Sequence, residues 1–144
     1  MGQLTQRGRW ELLLPAGPNY PGFLTWREEQ QARLTVALSA SKARILEVLR
    51  SIMDADFHRP EPARGWARAE KLADLIAEKT DYPLAPETVT AYVSRLRQAI
   101  CAEVKRSRLS TVIPPIIEQK RGLGVRLATD DLKVIVPDDR GTEP

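Results

Sequence analysis

The sequence predicts an α+β fold, and three observations carry that prediction. Short strand-like runs occupy the first 38 residues, and in the last of them the apolar side chains recur with a period of two. From residue 39 to residue 108 the apolar residues recur at the spacing of amphipathic helices. Residues 115–129 hold two more strand-like runs around a glycine-containing turn. We therefore expect a single domain over residues 1–137 and a flexible acidic tail over residues 138–144.

A small antiparallel sheet is expected over residues 8–38. Trp10–Leu14 predicts the first strand, which ends at residues 15–22 because five of those eight residues are proline or glycine. Phe23–Arg27 and Arg33–Leu38 predict the second and third strands. One face of the third strand is formed by the alternating residues Leu34, Val36 and Leu38.

The first of three helices is expected to begin after an N-cap at Ser39 or Ser41 and to end near Asp54. A loop should follow over residues 54–66, which contain two prolines and a glycine. The apolar stripe that should face the core consists of Ile45, Leu46, Leu49, Ile52 and Met53.

The second and third helices are separated by a short turn. The second is expected at about Ala69–Lys79, and the third begins at Pro86, a residue favoured at the first helical position. The third helix is expected over residues 86–104, before a basic turn at Lys105–Arg108. Its inward stripe consists of Val89, Val93, Leu96, Ile100 and Val104.

A β-hairpin is expected to follow the helices, within residues 115–129. Its strands are predicted at Pro115–Lys120 and Val125–Thr129, and the glycines of the Arg121–Gly124 connection suit a tight turn. Leu132–Val136 is a candidate for one more strand. The order of sheet, helix, loop, helix, turn, helix and hairpin is that of a winged helix-turn-helix. The third helix is then the candidate recognition helix, and the hairpin is the candidate wing.

The net charge of +3 is unevenly distributed along the chain. Residues 87–126 carry eight basic and three acidic side chains, a balance of +5, whereas residues 127–144 carry a balance of −3. A basic face on a small domain indicates a polyanionic partner. The alternative is a solvated surface that happens to be basic.

Three stretches of the sequence carry a family resemblance. They are Leu38-Ser39 followed by Ile45-Leu46 and Leu49, the helical stretch TVTAYVSRLR at residues 88–97, and the hairpin stretch IIEQKRGLGVRL at residues 116–127. Over roughly residues 8–130 the chain resembles the DNA-binding effector domain of OmpR/PhoB-type response regulators. The resemblance implies a winged helix-turn-helix with three helices, a small N-terminal antiparallel sheet and a C-terminal wing.

The chain departs from the family pattern at several points. Val125 stands where the family usually has an aromatic residue, Lys42 stands where an acidic residue is common, and the loop at residues 54–66 is longer. The phosphoacceptor receiver domain of the family is absent, because only about 35 residues precede the first helix and a receiver needs about 120. The sequence is therefore either a stand-alone module or a fragment of a larger protein.

The candidate DNA-binding residues lie on the third helix and the hairpin. The helical period places Glu87, Thr88, Ala91, Arg95 and Gln98 opposite the core stripe, and Arg95 is the best match to a guanine edge. Tyr92, Ser94 and Arg97 flank that face and suit phosphate contacts. By resemblance, Arg121 would enter the minor groove with Lys120 near the backbone.

Each of these residues has an alternative interpretation. Arg97 could pair with Glu70 or Glu103, Arg95 could be merely solvated, and Tyr92 could pack at the helix edge. Gly122 and Gly124 do not indicate a phosphate-binding loop, because both flanks are predicted strands and Leu127 occupies the place of a third glycine.

The sequence contains few candidate catalytic or metal-ligating residues. It contains one histidine, His58, in a proline-rich loop, and one cysteine, Cys101, which we expect to be a half-buried packing residue. Neither belongs to a cluster with metal-ligand spacing, so we predict no catalytic residues, no metal and no cofactor.

The expected partner is double-stranded DNA, and the expected role is sequence-specific transcriptional regulation in the bacterial cytoplasm, associated with the nucleoid. Self-association or another regulatory protein remains open, and no membrane or small-molecule substrate is expected. An alternative from another class is a protein–protein interaction module that keeps the same scaffold without contacting DNA. Phe57 and Trp66 in the long loop favour that alternative.

Overall fold

A computed structural model describes residues 8–80, 83–109, 112–129 and 131–137 of the chain. The α+β class is confirmed, with three α-helices and a small sheet that includes antiparallel strands. The acidic tail predicted over residues 138–144 lies outside the described residues, as do Asp81 and Tyr82 in the turn before the third helix.

The larger sheet begins with three consecutive antiparallel strands, β1 (Gly8–Leu13), β2 (Gly22–Glu28) and β3 (Gln31–Leu38). Each is slightly longer than predicted. Only Glu29 and Gln30 connect β2 to β3. Both turn residues have positive φ, at 53° and 71°, as a tight two-residue hairpin requires. The turn contains no glycine from which it could have been predicted.

The prediction of an antiparallel sheet is only partly correct. A fourth strand, from near the end of the chain, joins the sheet in parallel. Strand β6 (Lys133–Ile135) pairs in parallel with β1, so the strand order is β3-β2-β1-β6. Leu132, immediately before β6, is almost fully buried. The candidate strand at Leu132–Val136 therefore exists, in a shorter form.

The helices are α1 (Ala40–Ala55), α2 (Ala69–Lys79) and α3 (Pro86–Ser107). Of the two serines proposed as the N-cap of α1, Ser39 fills the role, since its side chain accepts a hydrogen bond from the Lys42 backbone N–H. The bounds of α2 are those predicted. Helix α3 is three residues longer than predicted, so it includes most of the expected basic turn. Arg108, the C-cap residue that follows its last residue, has left-handed backbone angles.

The C-terminal hairpin consists of β4 (Ile117–Lys120) and β5 (Gly124–Leu127), both shorter than predicted. A backbone bridge connects the hairpin to the segment just before α2. Ala67 and Val125 exchange two N–H···O hydrogen bonds of 2.9 Å. The loop between α1 and α2 contains a short 3₁₀ helix at Glu61–Ala63 and packs beside the hairpin.

The core is one cluster of buried apolar side chains that joins the sheet to the helices. The predicted inward stripes of α1 and α3 are buried, except that Val104 is only partly so. Trp10 and Trp26 meet edge to face, with ring centroids 5.2 Å apart. Trp10 also donates a hydrogen bond to the carbonyl of Pro114, which fixes the segment between α3 and the hairpin.

Candidate nucleic-acid interface

Helix α3 presents one polar face to solvent, because its apolar stripe holds the opposite face in the core. Val89, Val93, Leu96 and Ile100 are at most 5% exposed. Among the predicted site residues on this helix, Ser94, Arg95, Arg97 and Gln98 are exposed, whereas Thr88, Ala91 and Tyr92 are half-buried. Of the residues that the helical period placed opposite the core stripe, Arg95 and Gln98 are therefore exposed as expected, whereas Thr88 and Ala91 are partly covered.

Tyr92 lies at the edge of α3 and packs partly against the core. Its ring is flanked by two cations, with Lys42 Nζ 5.9 Å and the Arg95 guanidinium carbon 6.0 Å from the ring centroid. Within the described part of the chain, no acidic side chain pairs with Arg95. The Arg95 guanidinium is thus exposed and free for a partner outside the chain.

Arg97 connects α3 to the hairpin. Its Nη1 donates a hydrogen bond of 2.6 Å to Oε1 of Gln119 on β4. The alternative pairing of Arg97 with Glu70 or Glu103 is wrong: Arg97 turns toward the hairpin, and Glu103 pairs instead with Arg106, at 3.1 Å. Arg97 is therefore both exposed and held in a defined direction.

An open cleft lies between the start of α2, the side of α3 and the hairpin. It has a volume of about 770 Å³ and is lined by Arg68, Ala69, Arg97, Gln119, Lys120, Arg121, Gly122 and Gly124. Four of these residues are basic and none is acidic. We call this surface the basic cleft. It brings together Arg97, Lys120 and Arg121, which were predicted separately from the helix and the hairpin.

Arg68 is the member of the basic cleft that sequence analysis missed. It is the N-cap residue of α2, and its Nη2 donates a hydrogen bond of 2.6 Å to the Gly122 carbonyl oxygen in the hairpin turn. The two residues are 54 positions apart in sequence. A basic residue directly before a predicted helix was the only available signal, and it does not identify a contact across the fold.

Arg126 does not belong to the exposed basic surface, although it contributes to the charge of residues 87–126. It is only 7% exposed, and its Nε donates to Oε1 of Glu118 at 2.9 Å. Its Nη1 donates to the carbonyls of Glu61 and Arg64, and its guanidinium lies 4.5 Å from the Trp66 ring centroid. The positive charge of Arg126, which is counted in the +5 of residues 87–126, is therefore buried and already paired with a carboxylate.

Cys101 is exposed on α3, which corrects the expectation of a half-buried packing residue. Position 101 lies beside the core stripe rather than within it, so its thiol reaches the rim of a groove of about 560 Å³. Most of that groove is formed by apolar residues of α3 and of the segment 113–117.

Among the described helices, none combines the length and the apolar character needed to cross a membrane. The described residues also contain no group of three or more His, Cys, Asp or Glu side chains placed to hold a metal ion. Comparisons with protein-family models, with curated proteins and with solved structures found no match.

Proposed function

We propose that this chain is a winged helix-turn-helix protein that binds double-stranded DNA sequence-specifically and regulates transcription, as its resemblance to OmpR/PhoB-type effector domains implies. The basic cleft is the observation that supports this best. Three arginines and a lysine are among its lining residues and no acidic residue is, at the junction of a solvent-facing helix and a hairpin turn. Such a surface attracts a polyanion, and an α-helix is of a size that the DNA major groove admits.

In this proposal α3 lies in the major groove. Arg95 extends from its exposed face, and a guanidinium forms two parallel hydrogen bonds with guanine O6 and N7. Thr88 and Ala91 offer a hydroxyl and a methyl group to neighbouring bases. Gln98 belongs to the same face as Arg95. Tyr92, Ser94 and Arg97 flank that face and would contact phosphates, and such contacts position the protein without selecting a sequence.

The hairpin is then the wing, and Arg121 in its turn enters the adjacent minor groove while Lys120 stays near the phosphates. Both side chains are exposed. A narrow A·T-rich groove would favour the arginine because its negative potential is deeper. A single module of this size covers little DNA, so we expect strong binding to require a second copy or another regulatory protein. The proposed location is the bacterial cytoplasm, on the nucleoid.

The proposal is tested by measuring the affinity of the purified chain for random-sequence duplex DNA at low and at moderate salt. We expect binding that weakens steeply with salt, because the contacts are largely with phosphates. The double variant Arg95→Ala, Arg121→Ala should bind at least about tenfold more weakly, since it removes one base contact and one groove contact. Selection of sites from a random duplex pool would then give the target sequence.

The matched control is the double variant Arg33→Ala, Lys79→Ala, which removes the same charge from the sheet and from the far end of α2. Its affinity should stay within about twofold of the wild type, because long-range effects of surface charges are screened. Equal losses in the two double variants would show only a general charge effect. Absence of wild-type binding to any duplex at low salt would overturn the proposal.

A second candidate function is a protein–protein interaction module, which one observation favours. Phe57 is 69% exposed in the loop between α1 and α2, so its aromatic ring is accessible to a partner protein. Trp66 is a poor probe of this candidate because its ring supports Arg126 and its Nε1 donates to the Pro62 carbonyl. Phe57→Ala is the better test: it should abolish co-purification of a partner protein while leaving DNA affinity unchanged.

A further inference from the structure

The side chains of Arg68 and Arg97 both line the basic cleft and both contact the hairpin. Each donates one hydrogen bond of 2.6 Å to it, from Arg68 to the turn carbonyl of Gly122 and from Arg97 to the side chain of Gln119. A guanidinium has five N–H donors. Within the described part of the chain, these are the only hydrogen bonds of the two side chains, so each retains donors that face the basic cleft.

The hairpin that these arginines contact is also fixed through its backbone. Ala67 and Val125 are bridged, and a Cβ atom at Gly124 would collide with the backbone of Ala67 and Arg68. The junction between α2 and the hairpin therefore fixes the hairpin backbone that the two arginines contact before any partner arrives. Fixing donors in advance reduces the entropy that binding must remove.

The basic cleft is an open trough rather than a closed pocket, and its lining carries four cations and no acidic side chain. An open trough leaves room for a continuous chain to pass along it, which a closed pocket does not. Guanidinium groups match the oxygen geometry of phosphate through paired N–H···O bonds. The chemistry that fits is one phosphodiester of a nucleic-acid backbone.

We propose that the guanidinium groups of Arg68 and Arg97 jointly bind one backbone phosphate of the DNA in the basic cleft while holding the hairpin against α2 and α3. This inference depends on the proposed DNA-binding function and adds Arg68 as a DNA-contacting residue. Because the same two side chains touch the hairpin and the phosphate, phosphate binding also fixes the direction in which the hairpin turn leaves the protein surface.

The test compares Arg68→Gln and Arg68→Lys with the wild type, in the full chain, by measuring duplex affinity over a series of salt concentrations. A phosphate contact adds about 0.9 to the slope of the logarithm of the binding constant against the logarithm of the salt concentration. Arg68→Gln should lower that slope by about 1 and the affinity by about tenfold. Arg68→Lys should keep the slope, because the charge remains, and lose less affinity.

The matched control is Lys79→Gln, which removes a charge from the opposite end of the same helix, about 15 Å away along its axis. Its slope should equal that of the wild type. A merely structural role of Arg68 would lower the unfolding midpoint of the glutamine variant without changing its slope, and that outcome would overturn the inference. Absence of duplex binding by the wild type would instead overturn the DNA-binding function itself.

Discussion

Arg126 is a buried cation whose environment is organised around it. The loop at residues 61–66 covers one face of β5 and the core covers the other, so Val125, Arg126 and Leu127 are all buried. Burial of an unpaired guanidinium is unfavourable, and here two carbonyls, the Glu118 carboxylate and the Trp66 ring face it. The energetic role of Arg126 is therefore to tie the loop to the hairpin rather than to attract a ligand.

Gly124 is the residue on which the junction between α2 and the hairpin depends. It has a φ of +100°, and an added Cβ would overlap the backbone at Ala67 and Arg68. Gly124→Ala should lower the free energy of unfolding by about 3 kcal/mol, because left-handed backbone strain and the displaced Ala67–Val125 bridge act together. Urea denaturation followed by circular dichroism measures this change.

Gly122 provides the control for that substitution, since it also has positive φ, at +86°, but a Cβ there would meet no atom within 4 Å. Gly122→Ala should lower the free energy of unfolding by only about 1 kcal/mol, the backbone strain alone. Equal effects of the two alanine variants would contradict the close approach of Gly124 to the backbone before α2.

At the scale of elements, the sequence predicted those features that depend on local periodicity. The bounds of α2 and the start of α3 follow from the apolar stripe and from Pro86 at the first helical position. The β2–β3 turn escaped precise prediction because Glu29 and Gln30 adopt positive φ without glycine. Strand β6 was located, but its parallel pairing with β1 depends on the path of the chain and not on its own residues.

The residues of the candidate site likewise include some that local sequence patterns predicted and some that they did not. Helical periodicity was sufficient to place Arg95 and Arg97 on the exposed side of α3, and the glycines were sufficient to place Arg121 in a hairpin turn. The contact of Arg68 with Gly122 and those of Arg126 with the Glu61 and Arg64 carbonyls could not be predicted, because they link segments more than 50 positions apart. Such contacts are decided by the packing of the loop and α2 against the hairpin.

At the scale of the whole molecule, a single hydrophobic core connects the sheet to the helices. Buried residues of β1, β2 and β3 share one cluster with those of α1, α2, α3 and the hairpin. Helix α1 is the centre of this arrangement, since it contacts the other two helices, the first three strands and β5. We therefore expect the sheet and the helices to unfold together as one cooperative unit.

Leu132 allows that cooperativity to be tested from the end of the chain. It is 1% exposed and precedes β6, whereas Val136, just after β6, is 71% exposed. Leu132→Ala should lower the free energy of unfolding by about 3 kcal/mol, because it opens a cavity in the shared core, and Val136→Ala should change it by less than about 0.5 kcal/mol. The measurement is urea denaturation in a Trp66→Phe background, followed both by circular dichroism, which reports the helices, and by tryptophan fluorescence, which then reports Trp10 and Trp26 in the sheet. In Leu132→Ala both signals should shift to lower urea concentration by the same amount. A fluorescence transition that precedes the helical one would mean that the sheet unfolds separately, in contradiction to a single cooperative core.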